Sequence, residues 1–182
     1  MSAPILLLAI GNESRGDDAL APLLVRRLEA WASAARLADQ IEFLEDYQLQ
    51  VEHVTDLIGR RAVLFIDADV SCTEPCAFSL VAAERNASYT SHAMNPAAVL
   101  HAYRRVYGVD APPAFLLRIR GHDFGLGEPL SVRAAANLDA ATRLAAELCQ
   151  DASLEYWRGF AAGRTAAKDG SSSQVERENG YV

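Results

Sequence analysis

Several features are scarce in this 182-residue chain, and each disfavours a class of protein. The three cysteines, Cys72, Cys76 and Cys149, are too few and odd in number for a disulfide framework. Lysine and arginine total 17 against 24 aspartates and glutamates, and the net charge of −7 argues against nucleic acid or an anionic membrane as the main partner. The apolar runs are too short for a membrane helix. A signal peptide would require a basic residue before the first apolar run, and the chain has none there. We expect a soluble, cytoplasmic protein.

Familiar catalytic and nucleotide-binding motifs are also missing. The loop after the first apolar run has neither a G-x-G-x-x-G nor a Walker lysine, and two acids stand where a phosphate would approach. An H-E-x-x-H zinc motif and a G-x-S-x-G nucleophile turn are both absent from the chain. Cys72 and Cys76 have no second pair of ligands nearby, which favours two free thiols over a zinc site.

The chain is instead organised around its first 18 residues, which include the stretch ILLLAIGNESRGDD. The continuous apolar run 5–10 is typical of a strand that is buried on both faces, as in a parallel sheet. Gly11-Asn12 ends that run, and a helix is predicted from Asp17 to about Ala35, with Asp17 and Asp18 in its first turn. Ligands of open α/β sheets bind beyond the carboxyl ends of the strands, so this junction is the place to look for chemistry.

The remaining pattern alternates strands with helices, which predicts βαβ units. Further strands are predicted at 41–44, 62–66, 78–82 and 114–120, and helical stretches at 51–59, 96–108 and 132–148, with an alternative end of the last helix at Phe160. We therefore predict one α/β domain over residues 1–162, a three-layer sandwich with a mostly parallel twisted sheet of about five strands and helices on both faces. Residues 163–182 lack periodicity and are expected to be disordered.

Acidic and imidazole side chains supply the candidate site. Asp67 directly follows the third strand, and a flavodoxin-like strand order would bring it beside Asp18, where the two acids would share a proton or hold a cation. His92 lies in a polar loop before a helix and would complete an open site of two carboxylates and one imidazole, suited to nickel or zinc. The residues alone leave two choices open: His122, in a Gly-rich loop, could replace His92, and Asp17 could exchange roles with Asp18.

Four segments together resemble the maturation endopeptidases of [NiFe] hydrogenases, most closely the subgroup for soluble, bidirectional or NAD-reducing hydrogenases. These segments are GNESRGDDALAP, YQLQVEH, LFIDADVS and YTSHAMNPAAVL, and the resemblance extends to about Cys149. Two departures stand out. Ala9 replaces the first glycine of the family's common G-x-G-N opening, and Glu45-Asp46-Tyr47-Gln48 replaces the Asp-Gly-Gly turn of many members.

The resemblance implies an endopeptidase that removes the C-terminal extension of a hydrogenase large-subunit precursor after nickel insertion. By position in the motifs, it implies that Asp18, Asp67 and His92 contact nickel that the precursor supplies, with Asp18 and Asp67 as the catalytic residues and no tightly bound organic cofactor. Two other functions stay open from the sequence: a non-catalytic nickel-checkpoint chaperone that binds the immature large subunit, and a small hydrolase that uses the two aspartates on a free metabolite.

Overall fold

Five strands form a single sheet in the order β2-β1-β3-β5-β4 in a computed structural model, which describes residues 3–82 and 94–163. The strands are β1 (Ile5–Ile10), β2 (Ile41–Asp46), β3 (Ala62–Asp69), β4 (Cys76–Val81) and β5 (Ala114–Arg120). The helices are α1 (Leu20–Ala34), α2 (Pro96–Tyr107), α3 (Val132–Gln150) and α4 (Leu154–Ala161), with short 3-10 turns at Gly16–Ala19 and Val51–Thr55. The predicted α/β fold with a mostly parallel five-stranded sheet is confirmed.

Two hydrophobic clusters cover the two faces of the sheet. On one face, alternate residues such as Leu7 and Leu64 pack against α1, α3 and the buried Trp157 of α4. On the other, residues such as Leu8 and Phe65 pack against α2 and the 3-10 turn at 51–55. Because side chains of a strand alternate between faces, strands buried on both sides must be apolar throughout, which is the pattern of β1 and β3.

The strand order places β1 between β2 and β3, as expected, but the far edge of the sheet departs from a wholly parallel arrangement. β4 pairs with β5 in antiparallel fashion. Only residues 70–75 connect β3 to β4, and a parallel crossover needs about a dozen residues or more. The chain therefore has to start β4 at the edge where β3 ends and run back.

The predicted helices differ from the structure in three respects. The first α-helix begins at Leu20 because residues 16–19 form a tighter 3-10 turn. The predicted helix at 51–59 is only a 3-10 turn at Val51–Thr55; Val51 and Ile58 are exposed, so they form no continuous buried stripe. The helix predicted from residue 132 ends at Gln150 and does not continue to Phe160. Ser153 instead begins the separate α4, which it caps by accepting a hydrogen bond from the Tyr156 N–H.

The ends of α2 were predicted correctly, for reasons that are visible in the structure. Asn95 caps it by accepting a hydrogen bond from the Ala98 N–H, Pro96 occupies its first turn, and Gly108 ends it in the left-handed conformation. Among the described residues, no helix is both long and apolar enough to cross a membrane. The predicted disorder of the tail concerns residues that, apart from Gly163, lie outside the described ranges.

Candidate functional site

The two candidate aspartates meet at the carboxyl edge of the sheet. β1 and β3 are parallel neighbours, and their register pairs Ile10 with Asp67. Asp18 lies in the 3-10 turn that follows β1, and its charge contributes to raising the pKa of Asp67. The strand order therefore brings together two acids that are 49 residues apart in the sequence.

Asp67 is a carboxyl group in an unfavourable place for a charge. Burial raises its pKa to about 7, the nearby charges of Asp18 and Asp69 add to the shift, and a hydrogen bond from the Ala68 N–H opposes it. Near neutral pH this group is therefore divided between its protonated and ionised forms. A carboxyl with that property can exchange a proton with water or accept a cation that replaces the proton.

Asp18 is held in place by the loop that follows β1. Its Oδ2 accepts a hydrogen bond from the Asn12 N–H at 3.1 Å, and it is only partly buried. Burial raises its pKa, while the Asn12 hydrogen bond and the charge of Arg15 oppose the rise. Gly11 makes this geometry possible, since a Cβ at that position would lie 2.1 Å from the backbone oxygen of Asp18.

The neighbouring Asp17 has a different environment. It is fully buried. Its carboxylate accepts hydrogen bonds from the backbone N–H groups of His122 (2.7 Å), Asp123 (2.9 Å) and Ser131 (2.7 Å), and from the Ser131 hydroxyl (2.8 Å). Burial works against ionisation, but these four hydrogen bonds more than offset it and lower the pKa. Asp17 thus links the loop between β5 and α3 to the turn that contains Asp18. Its position at the start of a predicted helix did not indicate this role.

The histidines differ in how far the structure describes them. His92, the predicted third ligand, lies outside the described residues. His122 is mostly buried; its Nε2 lies 2.8 Å from Glu74 Oε1, at an angle outside hydrogen-bonding geometry. The Nδ1 of His53 accepts a hydrogen bond from the Gln50 N–H at 2.9 Å. Within residues 3–82 and 94–163, no group of three or more histidine, cysteine or acidic side chains could hold a metal ion.

A groove of about 610 Å³ lies along the loop after β1, and one of its lining residues is Asn12, whose N–H binds Asp18. Its walls are the loop after β1, the first turns of α1 and the end of β2, and Arg26 spans it, with Nη1 2.8 Å from Glu13 Oε2 and Nη2 3.3 Å from Glu45 Oε2. Its lining residues are Gly11, Asn12, Glu13, Ser14, Pro22, Arg26, Glu45, Asp46 and Tyr47. The groove is large enough for a few residues of an extended peptide, and most of its ionisable side chains are acids.

Sequence reasoning passed over a second charged pair at the same edge. Asp69 Oδ2 lies 3.3 Å from Arg118 Nη1, joining the ends of β3 and β5. The signal was present in the sequence as an acid two residues after Asp67 and as Arg118 and Arg120 two residues apart at the end of the fifth strand. Period-two spacing at strand ends places such residues on one face.

Comparison with known proteins identifies the fold. No family model and no curated protein matches the sequence. Three solved structures superimpose on most of the chain. The [NiFe] hydrogenase maturation protease HycI from Thermococcus kodakarensis KOD1 has a TM-score of 0.61 and 21% identity, over 81% of this chain and 93% of its own. The hydrogenase maturating endopeptidase HybD from E. coli has a TM-score of 0.62 and 20% identity, over 84% and 94%.

The third structure is a hydrogenase 2 maturation peptidase from Thaumarchaeota archaeon SCGC_AB-539-E09, with a TM-score of 0.53, 23% identity, and coverage of 81% of this chain and 96% of its own. Each superposition covers nearly the whole length of the known structure, so the similarity concerns the complete domain and not one motif. This chain therefore has the α/β fold of these hydrogenase maturation proteases.

Proposed function

We propose that this protein is an endopeptidase that removes the C-terminal extension of a [NiFe] hydrogenase large-subunit precursor after nickel insertion. The observation that carries the proposal is the pair Asp18 and Asp67 at the adjoining ends of β1 and β3, in a fold shared with hydrogenase maturation proteases. The sequence resemblance to the same proteases comes from separate evidence, the motifs around these two residues.

Nickel enters as part of the substrate. The precursor's cysteines hold the ion, and Asp18, Asp67 and His92 complete its coordination when the two proteins meet. Carboxylate and neutral imidazole suit such an ion, and the partial exposure of both aspartates lets a partner's metal approach them. Recognition of this kind makes cleavage conditional on nickel insertion, because without the ion the precursor lacks the group that positions its scissile bond.

The residues of the chain also supply the hydrolytic chemistry. Asp67 has two carboxylate oxygens, and the one that does not contact the ion can take a proton from the attacking water and later return it to the leaving amine. Asp18, fixed by the Asn12 N–H, orients the water or the ion from the other side. The groove along residues 11–14 and 45–47 holds the peptide beside this pair, and the sequence Glu45-Asp46-Tyr47-Gln48 adapts it to the precursor of a soluble, NAD-reducing type of hydrogenase.

The first test is cleavage of purified, nickel-loaded precursor, followed by mass spectrometry. We expect the wild-type protein to release the C-terminal peptide and Asp67→Asn, which keeps the size but not the charge, to leave the precursor intact while still folded. The exposed Asp39→Asn is the matched control and should process normally. Normal processing by Asp67→Asn would exclude the proposed role, and binding by the wild type with no change in precursor mass would identify a checkpoint chaperone instead.

A second test concerns the imidazole ligand. His92→Ala should abolish processing, whereas His122→Ala should retain it, because the His122 side chain faces Glu74. As a ligand, His92 has to be neutral, so acid pH should weaken engagement of the nickel-bearing precursor. The reverse pattern of the two variants would transfer the ligand role to His122.

A further inference from the structure

Two aspartates and two arginines lie opposite one another at the ends of β3 and β5. In this parallel pair, Asp67 is the register partner of Arg118, and Asp69 is the partner of Arg120. Residues two apart on a strand share a face, and neighbouring strands are about 4.8 Å apart. The long side chain of Arg118 can therefore reach two carboxylates, that of Asp67 directly opposite and that of Asp69 on the diagonal.

Arg118 contacts the diagonal carboxylate. Its Nη1 lies 3.3 Å from Asp69 Oδ2. No ion pair among the described residues includes Asp67. The charges that act on Asp67 are those of Asp18 and Asp69, both negative. Asp67 thus has an arginine as its register partner and yet lacks a cation, which is the state that a carboxylate needs in order to meet a metal ion.

The two members of the Asp69–Arg118 pair are held to different degrees. Asp69 Oδ1 accepts hydrogen bonds from the Ser71 N–H (2.5 Å), the Ser71 hydroxyl (2.7 Å) and the Cys72 N–H (3.0 Å), so this carboxylate is fixed. Arg118 has a buried Nε without an acceptor in the described part of the chain, and its side chain is 38% exposed. Its guanidinium has a donor to spare and is free to turn once its contact with Asp69 is lost.

We propose that Asp69 is a positioning residue that binds Arg118 and so keeps its guanidinium away from Asp67, leaving that carboxylate available to the nickel-bearing substrate. The inference rests on the proposed function, because it matters only if Asp67 has to meet a cation. It assigns no contact with substrate to Asp69 or Arg118.

Asp69→Asn is the variant that tests it. Asparagine retains an oxygen that can accept the Ser71 and Cys72 hydrogen bonds, and asparagine is well suited to such a turn. It replaces the oxygen that faces Arg118 by an NH2 group, which cannot accept a hydrogen bond from a guanidinium. Arg118 should then turn to Asp67. The substrate's ion would then have to displace Arg118 from Asp67, and because hydrogen bonds between charged groups are strong, we expect processing to fall at least about tenfold.

Rescue by a second substitution separates this mechanism from a structural role. Adding Arg118→Met to Asp69→Asn removes the competing cation and should restore processing to near the wild-type rate, and Arg118→Met alone should leave it unchanged. Arg120→Met is the matched control, because Arg120 Nη1 contacts the Cys72 carbonyl at 3.2 Å, and it should not rescue Asp69→Asn. Normal processing by Asp69→Asn, failure of the rescue, or loss of activity in Arg118→Met alone would each overturn the proposal.

A readout without precursor or metal keeps this inference distinct from the proposed function. The NMR cross-peak of the Arg118 Nε–H group should be insensitive to Asp67→Asn in the wild-type background. It should shift when Asp67→Asn is introduced together with Asp69→Asn, because Arg118 would then have Asp67 as its partner. Equal responses in the two backgrounds would refute the positioning role, whereas absence of cleavage by the wild-type protein would refute only the proposed function.

Discussion

The partly buried carboxyl of Asp67 makes the stability of the protein depend on pH in a way that one substitution can isolate. Its pKa is about 7 in the folded protein, against an ordinary value of 3.8. The folded state therefore holds this proton over a pH range in which the unfolded state releases it. The contribution to stability is fully present below about pH 4 and is lost progressively as the pH rises through 7. Asp67→Asn removes this pH dependence because the amide does not ionise.

The size of the effect follows from the shift. One pKa unit corresponds to about 1.4 kcal/mol, so a shift from 3.8 to about 7 corresponds to about 4 kcal/mol once both states are ionised. Asp67 is only partly buried, and solvent reduces the cost of its charge. We therefore expect Asp67→Asn to be about 2 kcal/mol more stable than the wild type at pH 8, and to lose most of that advantage toward pH 4.

Urea denaturation of both proteins between pH 4 and pH 8, followed by circular dichroism, measures this difference directly. Taking mutant minus wild type at each pH cancels the titration of the other groups. Asp39→Asn, at an exposed position, should show a difference that does not vary with pH. If the stability difference for Asp67→Asn is constant with pH, or grows as the pH falls, the environment assigned to Asp67 is wrong.

Three further substitutions test how the site is supported. Asp17→Asn should destabilise the protein by about 3 kcal/mol at pH 7, because an amide cannot accept all four hydrogen bonds of the buried carboxylate. The pKa of Asp17 is lowered in the folded protein, so urea titrations should show that this loss of stability becomes smaller as the pH falls below about 4. Gly11→Ala should cost about 1–3 kcal/mol and impair processing, because the added methyl group would displace the Asp18 backbone; equal activity and melting temperature would contradict this. Trp157→Ala should lower the free energy of unfolding by about 3–5 kcal/mol, measured by thermal denaturation, because this buried ring packs against Phe78 and Phe115. None of these three residues belongs to the candidate site, so the spectroscopic signals of the site residues should not change.

Local patterns in the sequence predicted much of the architecture. The apolar runs of β1 and β3 indicated strands covered on both faces, and Asn95-Pro96 and Gly108 marked the two ends of α2. The predictions that failed depended on packing. Val51, Val54 and Ile58 have helical spacing, yet only Val54 of the three is buried, so they do not form the continuous apolar stripe of an α-helix.

The properties of the candidate site also fall into those that local sequence predicts and those that depend on packing. The sequence by itself placed Asp18 in the segment after the first strand and Asp67 directly after the apolar run of the third, because those runs stop at Ile10 and Ile66 and the direction of each strand is local information. Only the tertiary structure decided that Asp17 is buried and binds the loop between β5 and α3, that Asp69 binds Arg118, and that Asp67 has a pKa of about 7. These properties depend on contacts between residues up to 114 apart in the sequence. They also depend on how much water reaches each carboxylate, which is set when the loops after β1, β3 and β5 come together.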